Sequence, residues 1–101
     1  MPTVYATAPR DAADDLARFL VENRLAACVN VVDCDSVYRW DGTLYDDEAE
    51  AILFAKTTAE RYPDLKRELE AEHPDDVPCI ERFDAVDTLE AYADWVGREV
   101  R

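Results

Sequence analysis

Along the chain the spacing of apolar residues changes several times, and each change marks an element. Thr3 to Ala8 reads as a short strand closed by Pro9. Arg10-Asp11 opens a helix, with Asp11 the expected N-cap and Asp14 and Asp15 favourable in its positive first turn. Ala13, Leu16, Ala17 and Leu20 recur at i, i+3, i+4 and i+7, which gives one apolar face. From Cys28 the residues turn β-rich: Val29, Val31, Val32, Val37, Tyr38 and Trp40. Asp41-Gly42 then signals a two-residue hairpin turn, and Thr43 to Thr58 reads as a second long strand. Thr57 with Glu60 three positions on resembles a capping box, so a second helix is expected there. Tyr62, Leu65 and Leu69 form its apolar stripe, and it ends before Pro74. Val77 to Val86 is expected as a fourth strand, with Pro78 requiring a bulge or an edge position. A last helix follows Asp87 or Thr88 and turns Leu89, Tyr92, Ala93 and Val96 inward.

The order β-α-β-β-α-β-α, with a hairpin between the central strands, predicts an α+β fold of the ferredoxin-like type. Such a fold is an antiparallel sheet with helices on one face, here formed by a single domain over residues 1–101. The hairpin arms run from Ala27 to Thr58, far beyond the usual five or six residues per strand. Arms of that length overhang a small domain and expose edges carrying Trp40, Leu44 and Tyr45. Self-association is the economical way to cover them.

Composition narrows the environment and the partners. Among 101 residues, 24 are Asp or Glu and 11 are Lys or Arg, for a net charge of −13 and a pI near 4.2. Nucleic acid and anionic membrane surfaces are therefore excluded as expected partners. Asp outnumbers Glu 14 to 10 and Arg outnumbers Lys 9 to 2. Such a Lys-poor, Asp-rich surface is expected of a salt-adapted protein, because a Debye length of about 3 Å at molar salt screens its self-repulsion. Three cysteines, Cys28, Cys34 and Cys79, form no C-x-x-C pair, so reduced thiols in a cytoplasmic protein are expected. The first residues lack a signal-peptide pattern, and no apolar run approaches a membrane span.

Four motifs in order carry a resemblance to a known family. They are Leu25-Ala26-Ala27-Cys28-Val29-Asn30, Tyr38-Arg39-Trp40-Asp41-Gly42, Lys56-Thr57-Thr58, and His73-Pro74 followed by Asp76-Val77-Pro78. Together they resemble the CutA family of divalent-cation tolerance proteins, from Val4 to the helix of Trp95. The resemblance implies a ferredoxin-like subunit in a homotrimer, with long hairpins extending sheets across subunit boundaries. It also implies a part in tolerance of copper and other divalent cations, and a likeness to the trimers of PII-like signalling proteins, whose inter-subunit clefts bind small ligands. The family's proposed copper site uses the histidine of the His-Pro motif, here His73, the only histidine. Some members add a histidine just before it and a cysteine in the first strand; Glu72 and Ala6 stand at those positions. Cys79 replaces a common glutamate and Asp75 a common tyrosine.

The candidate chemistry divides into two groups. His73, Cys79, Glu72 and Asp76 are the candidate ligands of a weakly bound divalent cation, copper or another, with no cofactor required. Against this, His73 reads as a histidine satisfied at a helix C-terminus in preference to a specific high-affinity copper ligand, and Cys79 reads equally as a small buried hydrophobe. Cys28 is expected in the core and Cys34 in an exposed, polar break. Tyr38, Arg39, Trp40 and Lys56 are the candidate cleft or interface residues. Their binding reading is a cleft for an anionic metabolite, and their packing reading is a subunit interface. No phosphate loop or nucleophile motif is present, and Ser36 is the only serine, so no enzymatic activity is expected. Protein partners beyond the trimer are not identified by any motif.

Overall fold

A computed structural model describes residues Met1–Arg101. The elements follow the expected order: β1 (Pro2–Pro9), α1 (Arg10–Glu22), β2 (Cys28–Trp40), β3 (Thr43–Lys56), α2 (Tyr62–Glu72), β4 (Ile80–Asp84) and α3 (Glu90–Glu99). The four strands form one sheet in the order β2-β3-β1-β4, every neighbouring pair antiparallel.

Period-2 alternation decides which face is covered. On β1, Val4, Ala6 and Ala8 are buried; on β3, Ala51, Leu53 and Ala55 are. These small and branched residues let α1 and α2 approach closely, contributing Ala13, Leu16, Leu20, Leu65 and Leu69 to one core. The intervening positions Tyr5, Thr7, Ile52, Phe54 and Lys56 occupy the other, open face.

Several boundaries differ from the sequence expectation. Asp11 is not the N-cap of α1. Pro9 takes that place with φ −53° and ψ 140°, because the strand passes directly into the helix, and Asp11 lies in the first turn. Thr57 forms no capping box. It still follows the buried alternation of β3, so its hydroxyl is satisfied inside, donating to the Leu25 carbonyl at 2.7 Å. The next residue does the capping work: Thr58 Oγ1 accepts from the Arg61 N–H at 3.2 Å. β4 is only five residues long, since Pro78 lacks a donor and the chain joins the edge of β1 after it. In the last helix only Val96 is fully buried; Leu89 precedes the helix and is 76% exposed. That helix is tied down at its end, where the Arg101 N–H donates to the Arg24 carbonyl at 3.1 Å and Arg24 pairs with Glu99 at 3.6 Å.

The central hairpin overhangs as its length requires. β1 stops pairing with β3 at Pro9↔Glu50, so Thr43–Ala49 has only β2 for a neighbour. The turn at its tip holds Asp41 at φ 50° and Gly42 at φ 78°, the left-handed pair that a tight two-residue hairpin needs. Between Ser36↔Glu48 and Tyr38↔Tyr45, β2 advances two residues while β3 spends three. The extra residue is a bulge in which Asp47 adopts φ 58°.

Candidate functional site

The bulge determines which side chains meet. On the Lys56 side of it, the even-numbered residues of β3 face the open side; on the side of the hairpin tip, Tyr45 takes that face in place of Leu44. Tyr45 therefore stacks on Tyr38, ring centroids 5.2 Å apart and planes 20° from parallel. Trp40 shares their face, two residues along β2. Closer to the sheet, Tyr5 makes edge contacts with Phe54 at 5.8 Å and Phe83 at 6.1 Å. Tyr5, Tyr38, Trp40 and Tyr45 on the strands and Pro74 to Val77 opposite line an open groove of about 790 Å³.

His73 holds that opposite wall. It caps α2, its own N–H donating to Leu69 O at 2.9 Å, and its side chain is fully buried. The Asp75 backbone N–H donates to Nδ1 at 3.0 Å, so Nδ1 carries no proton and Nε2 must be the protonated nitrogen. Nε2–H donates in turn to the Thr7 carbonyl at 2.8 Å. The neighbouring Thr7 N–H goes to Cys79 O at 3.4 Å. Thus the imidazole completes the edge of β1 just beyond the last paired residue of β4, and the same ring fixes the turn at Asp75.

The four expected cation ligands meet different surroundings. Both nitrogens of His73 are engaged within the chain. Cys79 is exposed, and partial desolvation followed by the Glu81 carboxylate, 3.9 Å from its sulfur, pushes the thiol above its ordinary pKa. A raised thiol is a poorer source of the thiolate that binds soft metals. Glu72 and Asp76 are exposed carboxylates without an ion-pair partner. Nowhere in the single chain do three His, Cys, Asp or Glu side chains converge as a metal cage.

The second set is divided as well. Tyr38 and Trp40 line the groove, whereas Arg39 points to the other side of the strand and donates to Gly42 O at 3.4 Å. Lys56 lies at the base of β3, donating to Asn30 Oδ1 at 3.3 Å, roughly 40 Å of strand away from the hairpin tip. No basic side chain lines the groove; its charged members are Glu50, Asp75 and Asp76. Desolvation, then Glu48, Glu50 and Asp75, raises the Tyr38 phenol, and burial with nearby Cys79, Cys34 and acidic groups does the same for Tyr5. Cys28 and Cys34 are half-buried, and Cys28 lies against Tyr92 of α3.

Sequence reasoning did not single out Tyr5, Thr7 and Glu50. A signal for Tyr5 was present: a large aromatic between Val4 and Ala6 on the uncovered face of a strand marks a surface that needs covering. Thr7 acts through its backbone carbonyl, which leaves no sequence signal.

The chain matches the family model described as CutA1 divalent ion tolerance protein over residues 2–99. It is 41% identical over 95 residues to a divalent-cation tolerance protein CutA of Thermus thermophilus, covering 92% of this chain and 91% of that one. Among solved structures, it is similar to the PII-like protein CutA from Nostoc sp. PCC 7120, at TM-score 0.95 and 29% identity over 100% of this chain and 98% of the other. It also superposes on a protein described as the periplasmic divalent cation tolerance protein CutA of Archaeoglobus fulgidus, at TM-score 0.90 and 31% identity over 100% of both chains.

Proposed function

The chain belongs to the CutA1 divalent ion tolerance family, and from that membership we propose a non-enzymatic homotrimer that contributes to tolerance of divalent cations, copper among them. The observation that supports self-association is the ribbon formed by Thr43–Ala49 and its partner residues on β2, while the number three rests on the family resemblance. A two-stranded ribbon is marginal in water, and its exposed Trp40, Leu44 and Tyr45 add a cost that a neighbouring subunit removes. The outer edge of β2, thirteen residues long, supplies the backbone donors and acceptors for such pairing.

Cations are held weakly, through the exposed carboxylates Glu72 and Asp76 on either side of His73. The imidazole positions that segment, and Cys79 adds a ligand only where a metal competes for its proton. The three free thiols favour a reducing, cytoplasmic setting, and no helix is long and apolar enough to cross a membrane. The Asp-rich surface favours adaptation to high salt, where the −13 charge of each chain is screened on assembly.

Titration calorimetry with copper(II) and light scattering test this reading. A trimer mass in high salt is expected, with a weak copper isotherm reduced in the Glu72→Gln/Asp76→Asn double variant and retained in His73→Gln. A monomer mass overturns the assembly. An isotherm abolished by His73→Gln, in a variant still folded, returns the metal to the imidazole.

The groove on the open face supports a second reading, a small-ligand sensor in the manner of PII-like trimers.

A further inference from the structure

We propose that Lys56 and Asn30 of one protomer receive the partner's Glu81, and that this contact sets the register in which their sheets join. The inference rests on the homotrimer reading and names the residues that complete its boundary. The sheet has two free edges, β2 and β4. A threefold ring joins unlike surfaces at every boundary, so a sheet continued across it sets β4 of one protomer against β2 of the next. Successive antiparallel neighbours leave β2 and β4 running in opposite directions. Rotation about an axis along the strands keeps those directions. The new pair is then antiparallel, with the open faces on one side.

Such a rotation involves no shift along the strands, so each row of the sheet meets its own start in the next protomer. One row runs Asn30, Phe54, Tyr5, Glu81, and another runs Cys28, Lys56, Thr3, Phe83. The partner's Glu81 therefore falls opposite Asn30, and the partner's Phe83 opposite Cys28. Charge agrees with this placement. Lys56 leans toward the β2 edge, its Nζ donating to Asn30 Oδ1 at 3.3 Å, and no carboxylate of its own chain pairs with it. Glu81 is exposed and is met only by the Cys79 thiol, at 3.9 Å. Opposite charges brought together across neighbouring strands stabilise the pairing.

The apolar positions select the same register. On the helix-covered face it sets the half-buried Val31 against the partner's half-buried Ile80. On the open face the exposed Phe83 gains Cys28 and the Tyr92 ring beside it. A slip of one residue turns the two open faces to opposite sides. A slip of two toward the hairpin tip sets Glu81 against Val32 and Ile80 against Asp33, a mismatch at both positions. The reverse slip carries Phe83 past Cys28, the first residue of β2.

Disulfide trapping tests the register. Asn30→Cys and Glu81→Cys are combined in a chain carrying Cys28→Ser, Cys34→Ser and Cys79→Ser. Within one chain the two positions stand three strand spacings apart, about 14 Å, too far for a disulfide. Oxidation is expected to give a covalently closed trimer on a denaturing, non-reducing gel, whereas Val32→Cys with Glu81→Cys gives little cross-linking. A trimer by light scattering that forms no cross-link, or that is trapped better through Val32→Cys, overturns the register and leaves the assembly standing. A monomer mass for the wild type overturns both.

Charge reversal tests the pair in the otherwise native chain. Glu81→Lys and Lys56→Glu are each expected to raise the dissociation concentration roughly tenfold at low salt. Glu81→Lys does so although it makes each chain less acidic, which by itself favours assembly. The double exchange keeps the net charge of −13 and is expected to restore wild-type association. Single reversals without effect, or a double exchange that restores nothing, overturn the pairing.

Discussion

His73 and Thr7, sixty-six positions apart, are joined by a 2.8 Å hydrogen bond from the imidazole Nε2–H to a strand carbonyl. Because Nδ1 simultaneously accepts from the Asp75 N–H, one side chain links the end of α2, the margin of β1 and the wall of the groove. A ring used in this way is a structural element first. His73→Ala removes two hydrogen bonds and leaves a cavity under the Pro74–Val77 segment, for an expected loss of about 2–3 kcal/mol. His73→Gln retains an amide that can reach one partner and should lose about half as much. Urea denaturation at fixed salt measures both. An unchanged midpoint in His73→Ala means that the ring does not hold this segment.

Gly42 tests the hairpin turn by itself. Its φ of 78° is left-handed, yet a Cβ built there meets no atom within 4 Å. Gly42→Ala therefore carries conformational strain without a clash, and costs about 1 kcal/mol. The change lies at the tip of the overhanging ribbon, so part of the loss appears as weaker assembly. Denaturation followed at two protein concentrations separates the parts: a midpoint shift that grows on dilution belongs to the subunit contact.

Thr57 and Thr58 are neighbours with different duties, and their variants should differ accordingly. Thr57→Val keeps shape and burial but leaves the Leu25 carbonyl unpaired, at an expected cost of about 1–3 kcal/mol. Thr58→Ala removes the acceptor for the Arg61 N–H at the start of α2 and costs about 1 kcal/mol. If Thr58→Ala proves neutral while Thr57→Val lowers helicity, the cap belongs to Thr57 after all. Circular dichroism with urea melts resolves the two cases.

The same pair illustrates what the sequence can and cannot reveal. A Thr three residues before a Glu is a genuine capping pattern, but β3 carries its buried alternation one position past the last paired residue and claims that threonine for the core. Element order, the antiparallel sheet and the tight turn were legible, because local periodicity and Asp41-Gly42 determine them. The groove was legible only in part. Tyr38 and Trp40 could be placed on one face by alternation, but Tyr45 joins them through a bulge at Asp47, a non-glycine residue at φ 58° that nothing in the local pattern announces. Alternation alone puts Arg39 on the face opposite Tyr38 and Trp40, where it bonds Gly42 O, whereas Lys56, grouped with them as a candidate cleft residue, lies at the far end of the hairpin.

Asp64 provides a pH-dependent prediction with a defined sign. Hydrogen bonds from Arg67 and Arg61, at 2.9 and 2.6 Å, outweigh its desolvation and hold its carboxyl below the ordinary value. A folded-state pKa below the unfolded one adds stability above the unfolded value and loses it as pH falls through the folded value. The stability difference between wild type and Asp64→Asn is therefore expected to be full above about pH 5 and to shrink as pH drops below about 4. It vanishes once the carboxyl is protonated in both states. Because the group is exposed, added salt should diminish the difference at every pH. Urea melts of both proteins between pH 3 and 7, at low and high salt, decide the matter. A difference that persists at the acid end assigns the effect of Asp64 to helix-terminal packing, with its charge irrelevant.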